Sequence, residues 1–131
     1  MAKDMYAVIG ESQDYSLLAG TGTESEIGVA LAPGNGVVTR GTIVKKGENG
    51  LYAPATTGTL SGGECAVMIN DTDTGDSGTG VAPSAAAFKT GRFITGKAKL
   101  ASGELSAADV LELRRQGITF DGMSGTLNNE V

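Results

Sequence analysis

Three short stretches carry residue types whose spacing could do chemistry. GRFITGKA, Gly91 to Ala98, matches the Gly-x-x-x-x-Gly-Lys spacing of a phosphate-cradling loop, but Ala98 stands where a magnesium-binding hydroxyl belongs. Such a loop should follow a buried strand and open a helix, whereas the residues after Lys97 keep a strand-like alternation, so Lys97 reads as a solvated strand residue. DTDTGDSGTGVA, from Asp71, spaces its aspartates like a calcium loop. Gly75 falls at the fifth position, Asp76 replaces the sixth-position Gly, and Ala82 stands where a bidentate Glu is required, so a solvated acidic loop is expected. Arg114-Arg115 could grip an anion or a partner carboxylate, yet completing the dipole of a helix C-terminus explains the pair as well.

The remaining inventory is short. The chain has no His, which removes the usual neutral-pH general base and the commonest metal ligand. Cys65 is the single cysteine, and its setting in ECAVMI reads as a small buried hydrophobe rather than an activated thiolate. These residues point to no enzyme, no metal and no cofactor.

The elements that would position such groups come from a chain of 131 residues, 40% hydrophobic, with 21 Gly, three Pro, six aromatic residues and no Trp. That length suits one domain able to bury roughly two thirds of its unfolded surface. Abundant Gly and a light aliphatic core favour short strands joined by turns. Net charge is −5; residues 1–32 hold Lys3 against Asp4, Glu11, Asp14, Glu24 and Glu26, while the rest carries nine bases and ten acids. Nucleic acid is an unexpected partner, because backbone binding needs clustered Lys and Arg. No run approaches membrane-spanning length, and MAKDMYAVIGESQDYSLL has acidic residues where a signal peptide is apolar, so synthesis in a reducing cytoplasm is expected.

Along the chain, residues 1–26 alternate short apolar pieces (YAVI, YSLL) with polar ones and read as a flexible arm without a core. Pro33-Gly34-Asn35-Gly36 is a turn signal, and RGTIVKKGENGLYAPA holds a hairpin: Val37 to Val44 as one strand, Glu48-Asn49-Gly50 as the corner, Leu51 to Ala53 returning, with Pro54 ending the pairing or marking an edge. CAVMIN is apolar on both faces and should be a central strand. Lys89-Thr90-Gly91 suggests another tight corner, followed by a half-buried strand in which Ile94, Gly96, Ala98 and Leu100 alternate with polar residues. SAADVLELRRQG predicts the single helix, with Ser106 as cap, Asp109 completing a capping box, an apolar stripe of Val110, Leu111 and Leu113, and Gly117 as the stop. Ile118 could pack back on the helix, and residues 121–131 read as a loose tail.

This order of elements resembles the small head decoration proteins of tailed bacteriophages over about three quarters of the chain: a polar arm, a Pro/Gly entry to a β-ribbon (TIVKKGENGLYAPATTG), an Ala-rich central strand (GECAVMINDTD), a strand pair with an aromatic (AFKTGRFITGKAKL) and a Ser-capped terminal helix (SAADVLELRRQGI). The longer arm, the absence of Trp and the tail after Phe120 depart from the lambda-like pattern. The resemblance implies a mainly β, bent-ribbon β-clip-like domain over residues 27–120 with one short C-terminal helix. It also implies homotrimers seated at the three-fold and quasi-three-fold sites of an expanded phage head, on the outer surface of the virion, as a non-enzymatic cement. The major capsid protein would be the partner. Capsid contact would come from the arm and the strand that follows it, through Tyr6, Val8, Ile9, Tyr15, Leu17, Leu18, Ile27, Val29 and Leu31. A coreless, locally apolar arm is suited to ordering on a neighbour by strand addition. The competing expectation is a β-rich surface module for a glycan or host-cell ligand; the low aromatic count speaks against a stacking platform, with Tyr6, Tyr15 and Tyr52 as the candidates for one.

Overall fold

A computed structural model of the chain describes residues 17–19 and 24–121. The described residues are mainly β, with eight strands and one short helix. The organising element is β5 (Cys65–Met68), whose four residues are all buried. A strand apolar on both faces can be satisfied only between two neighbours and two packed layers. It receives both: β3 (Ile43–Lys46) pairs antiparallel on one side and β7 (Ser84–Ile94) on the other. β1 (Ser25–Ala30) adds to the far side of β7, and β4 (Tyr52–Pro54) to the far side of β3, giving the order β1-β7-β5-β3-β4. β8 (Ile118–Asp121) runs parallel to the end of β7, from Gly91 against Ile118 to Ile94 against Asp121. A separate two-stranded ribbon joins β2 (Val37–Val38) to β6 (Thr72–Asp73).

The alternation of β5 divides the interior. Cys65 and Val67 face a cluster with Ile43, Phe88, Phe93, Leu113 and Ile118, while Ala66 and Met68 face a second one with Val29, Leu31, Val44, Tyr52 and Ala87. Each fully buried Leu, Ile, Val or Phe contributes about 1.5–3 kcal/mol of transfer free energy. Phe88 and Phe93 pack at a tilt, ring centroids 5.8 Å apart. At one end the sheet's two outer strands meet, because Leu31 bridges Tyr52 and the Ala32 amide donates to the Tyr52 carbonyl at 2.8 Å.

The one helix among the described residues, α1 (Ala107–Arg115), starts on the capping box expected for it. The Asp109 amide donates to Ser106 Oγ at 3.1 Å and the Ser106 amide to Asp109 Oδ2 at 2.9 Å. Arg114 and Arg115 occupy the last turn, and Gly117, at φ 95°, lets the chain reverse into β8. Ile118 is fully buried in the same cluster as Leu113. The inward stripe is Asp109, Leu113 and Gln116, spaced four and three residues apart. Leu111, expected on that stripe, is 56% exposed, because two residues of helical rotation carry it away from Leu113.

Three strand readings are corrected. Val37 to Val44 is not one strand: β2 and β3 belong to different sheets, separated at Gly41, whose φ of 87° is open to glycine. A Cβ at Gly41 would collide with the Lys97 carbonyl, whose own amide lies in the next turn, so the break admits the backbone of residues 97–99 beside β3. The corner at Lys89-Thr90-Gly91 is absent; β7 runs through it for 11 residues, held by β1 and β5 in its first half and by β8 in its second. The strand expected from Ile94 to Leu100 is interrupted by a turn in which the Lys97 amide donates to the Ile94 carbonyl at 2.9 Å. Burial still alternates beyond it, with Ala98 and Leu100 inside and Lys99 outside. The hairpin of β3 and β4 stands as expected, with Lys46 opposite Tyr52 and its corner closed by the Gly50 amide on the Gly47 carbonyl at 3.0 Å.

Candidate functional site

The residues that suggested chemistry are held in structural roles. Gly91 to Ile94 is strand and Lys97 is an exposed turn residue with no helix behind it, so GRFITGKA forms no phosphate cradle. In the acidic loop, Asp73 Oδ1 accepts from the Gly75 amide at 2.8 Å and Asp71 Oδ1 from the Arg40 amide at 2.7 Å. No group of three acidic, His or Cys side chains among the described residues could hold a metal. Arg115 lies 3.7 Å from Glu112 one turn back on α1.

Cys65 is fully buried, and that burial is the main cause pushing its thiol above the ordinary cysteine range. Its amide donates to Gln116 Oε1 at 2.8 Å, while Gln116 Nε2 donates to the Gly63 carbonyl at 3.2 Å. Gln116 therefore fastens the end of α1 to the start of β5, a role that the sequence signalled only as a helix-ending residue. Asp109 is 3% exposed and also accepts from the Gly58 amide at 3.0 Å, tying the 56–61 loop to the helix start. Burial pushes its carboxyl up, but the amide hydrogen bonds from Ser106 and Gly58, with the Ser106 side chain, outweigh it and leave the group below its ordinary value. Lys45 Nζ donates to the carbonyls of Thr59 and Ser61. Tyr52, one of three rings open to a stacking role, is 6% exposed; burial first and Glu64, which its hydroxyl meets at 3.2 Å, second raise its pKa.

The expected contact residues divide into three groups. Tyr6, Val8, Ile9 and Tyr15 lie outside the described residues. Leu17 and Leu18 are corrected: they were expected on a coreless arm, yet they are 4% and 6% exposed and belong to the cluster around Phe93. Leu18 bridges Phe93, the Ala19 amide donates to the Arg92 carbonyl at 2.8 Å, and the Ile94 amide donates to the Leu17 carbonyl at 2.8 Å. Leucines reaching that far into a hydrophobic cluster recover more from burial than a solvated arm would. Val29 and Leu31 are corrected likewise: they are interior residues of the second cluster, at 4% and 0% exposure, and are not presented to a partner. Ile27 is half-buried on β1. The expected arm boundary at residue 26 therefore falls inside a paired strand, since Ser25 and Glu26 already lie opposite Thr90 and Phe88.

On one side the main sheet ends at β1. Its ladder is made with β7 on one side, with a register shift between Ser25 and Glu26, and no second ladder along Ser25–Ala30 exists among the described residues. Over the β1/β7 ladder, away from that edge, lies a shallow hollow lined by Glu26, Ile27 and Gly28 of β1 and Ser84, Ala85 and Ala86 of β7. A Cβ at Gly28 would meet nothing within 4 Å. The opposite edge, β4, is only three residues long and ends on Pro54, and the Tyr52–Leu31 bridge covers the end of both outer strands.

No protein-family model matches the chain, and no curated protein matches it. No helix among the described residues is long and apolar enough to cross a membrane.

Proposed function

We propose that this chain is a non-enzymatic capsid decoration protein that binds as trimers at the three-fold and quasi-three-fold sites of an expanded phage head and stabilises it from outside, with the major capsid protein as its partner. The observation that carries the proposal is the anchored leader. Leu17 and Leu18 are clamped against β7, and in front of them stand sixteen residues bearing Tyr6, Val8, Ile9 and Tyr15. A tethered apolar segment on a rigid β body is the arrangement a cement protein needs: the body covers, and the leader grips by backbone pairing. Three leaders on one trimer raise avidity far above the affinity of any one of them. The body is consistent with this role, since Cys65, Asp109, Gln116 and Lys45 hold the scaffold together.

The gripping segment is residues 1–16, with Ile27 beside it, in place of an arm of residues 1–26 with Ile27, Val29 and Leu31 as further contacts. The test is light scattering of the purified chain, followed by its cosedimentation with expanded, undecorated heads and with unexpanded ones. A mass of three chains and saturable binding to expanded heads alone are expected; a monomer that binds neither form would overturn the proposal.

A further inference from the structure

We propose that Asn49 is a site of self-modification: its side-chain amide cyclises onto the Gly50 backbone nitrogen with loss of ammonia, and water then opens the ring to leave an aspartyl or isoaspartyl corner between β3 and β4. In the first step the bond between the Gly50 nitrogen and Asn49 Cγ forms and the Cγ–Nδ2 bond breaks, the Gly50 amide proton passing through water to the departing nitrogen. In the second, water adds to one of the two ring carbonyls. Addition at Cγ returns an ordinary aspartate, whereas addition at the main-chain carbonyl leaves the peptide running through Cγ. Nothing is oxidised or reduced, and water is the co-reactant.

An Asn followed by Gly is the pair in which this attack is least hindered, because Gly has no Cβ to shield its nitrogen. The chain contains two such pairs, Asn35-Gly36 and Asn49-Gly50, and their settings differ.

Asn49 lies at an open corner. Residues 46–50 are all exposed, and a Cβ at Gly50 would meet nothing within 4 Å, so a planar ring has room there. The Leu51 amide donates to Asn49 Oδ1 at 3.0 Å. That bond folds the side chain back along its own backbone and closes a loop containing both Asn49 Cγ and the Gly50 nitrogen. Oδ1 is also the oxygen on which negative charge develops as the nitrogen attacks, and a backbone donor already aimed at it stabilises that charge. The Gly50 amide is tied to the Gly47 carbonyl at 3.0 Å across an exposed turn, so opening of that turn releases the nucleophile.

Asn35 is fastened at both reacting groups. Its Nδ2 donates to the Ala32 carbonyl at 3.1 Å, its own amide to Thr74 Oγ1 at 2.8 Å, and the Gly36 amide to the Gly75 carbonyl at 2.9 Å. The Gly36 carbonyl in turn accepts from the Thr74 amide and hydroxyl. Freeing the leaving group and the nucleophile there requires opening the end of the β2–β6 ribbon.

Either product sets a new carboxylate beside Glu48 and adds one negative charge to a net of −5. The isoaspartyl form also lengthens the main chain by one carbon in a corner closed by the Gly50–Gly47 hydrogen bond, and so loosens the entry to β4.

The change belongs to the chain alone and does not rest on the capsid reading. Peptide mapping by mass spectrometry tests it on the full-length protein aged at neutral pH, at mildly alkaline pH and in urea. In the native chain, conversion at Asn49 at least about tenfold faster than at Asn35 is expected, because only the second must wait for the ribbon to open. The rate at Asn49 should rise with pH, since the attacking nitrogen has to lose its proton. In urea, where neither corner persists, the two pairs should convert at similar rates. Asn49→Gln, which keeps the acceptor but enlarges the ring, should abolish conversion at that position while leaving the urea midpoint unchanged. Conversion at Asn35 equal to or ahead of that at Asn49 in the native chain would overturn the proposal; so would native conversion of Asn49 slower than in urea by about tenfold or more, which would mean that the corner protects it.

Discussion

Replacing Asp109 examines how α1 is fastened to the β body. Asp109→Ala removes the carboxylate that accepts from the Ser106 amide at 2.9 Å and from the Gly58 amide at 3.0 Å, while leaving the Ser106 hydroxyl to cap the Asp109 position. Hydrogen bonds to a charged acceptor are worth about 1.5–3 kcal/mol each when both partners are buried. Gly58 and Ser106 are both exposed, and water can replace the lost acceptor at each, so each share lies at or below the lower figure. The sum is a loss of about 2–3 kcal/mol. Asp109→Asn keeps one acceptor and should lose about half as much. The pH dependence follows from the lowered pKa of the carboxyl. A group whose folded value lies below its unfolded one stabilises the protein above the unfolded value, here an ordinary 3.8, and that stability is lost as pH falls through the folded value. Urea unfolding at neutral pH should therefore show a midpoint about 1–2 M lower for Asp109→Ala at unchanged slope. The gap between the unmodified protein and Asp109→Asn should close under acid conditions, where both side chains are neutral. A neutral-pH loss below about 0.5 kcal/mol, or a gap that persists in acid, would refute the reasoning.

Three further substitutions or probes follow from the same geometry. Gln116→Ala leaves the Cys65 amide unpaired in a buried strand and should cost about 2 kcal/mol in urea unfolding; a loss below about 0.5 kcal/mol would contradict that role. Cys65, buried and with its thiol pushed up mainly by that burial, should react with a thiol reagent at neutral pH no faster than the protein opens, and rapidly in denaturant; prompt reaction of the native chain would contradict its placement. Arg92→Ala should change stability by less than about 1 kcal/mol, because its partner Asp121 and Arg92 itself are both substantially exposed, and a larger loss in thermal unfolding would show that the pair holds β8 in place.

The parts of this fold legible in the sequence are those whose cause is local. The Ser106–Asp109 capping box, the Gly117 stop, the hairpin around Gly50 and the two-faced strand Cys65–Met68 each follow from a few adjacent residues. The parts that were misread have distant causes. Nothing within VVTRGTIV announces that the Lys97 carbonyl approaches Gly41 and parts β2 from β3. Lys89-Thr90-Gly91 has the composition of a turn, yet pairing on both sides of β7 holds it extended. Leu17 and Leu18 sit among Gly, Ser and Glu and look solvated, but their partner Phe93 lies 75 residues from Leu18 along the chain. The same distinction governs the site. Apolar residues of the leading segment could be recognised as candidates for contact, whereas which of them the body would claim for its own interior depended on a sheet order that no local pattern encodes. The β1 edge became visible only once β7 was seen to fill one side of it and nothing described to fill the other.

The most direct measurement of the central claim compares the full chain with one lacking residues 1–16, both first shown folded by urea unfolding, in binding to expanded, undecorated heads. The truncated chain keeps Leu17 and Leu18, and so retains its core. Full-length binding that saturates, with binding by the truncated chain weakened at least about a hundredfold, is predicted from the loss of three cooperating leaders. Equal occupancy of the heads by both chains would contradict it.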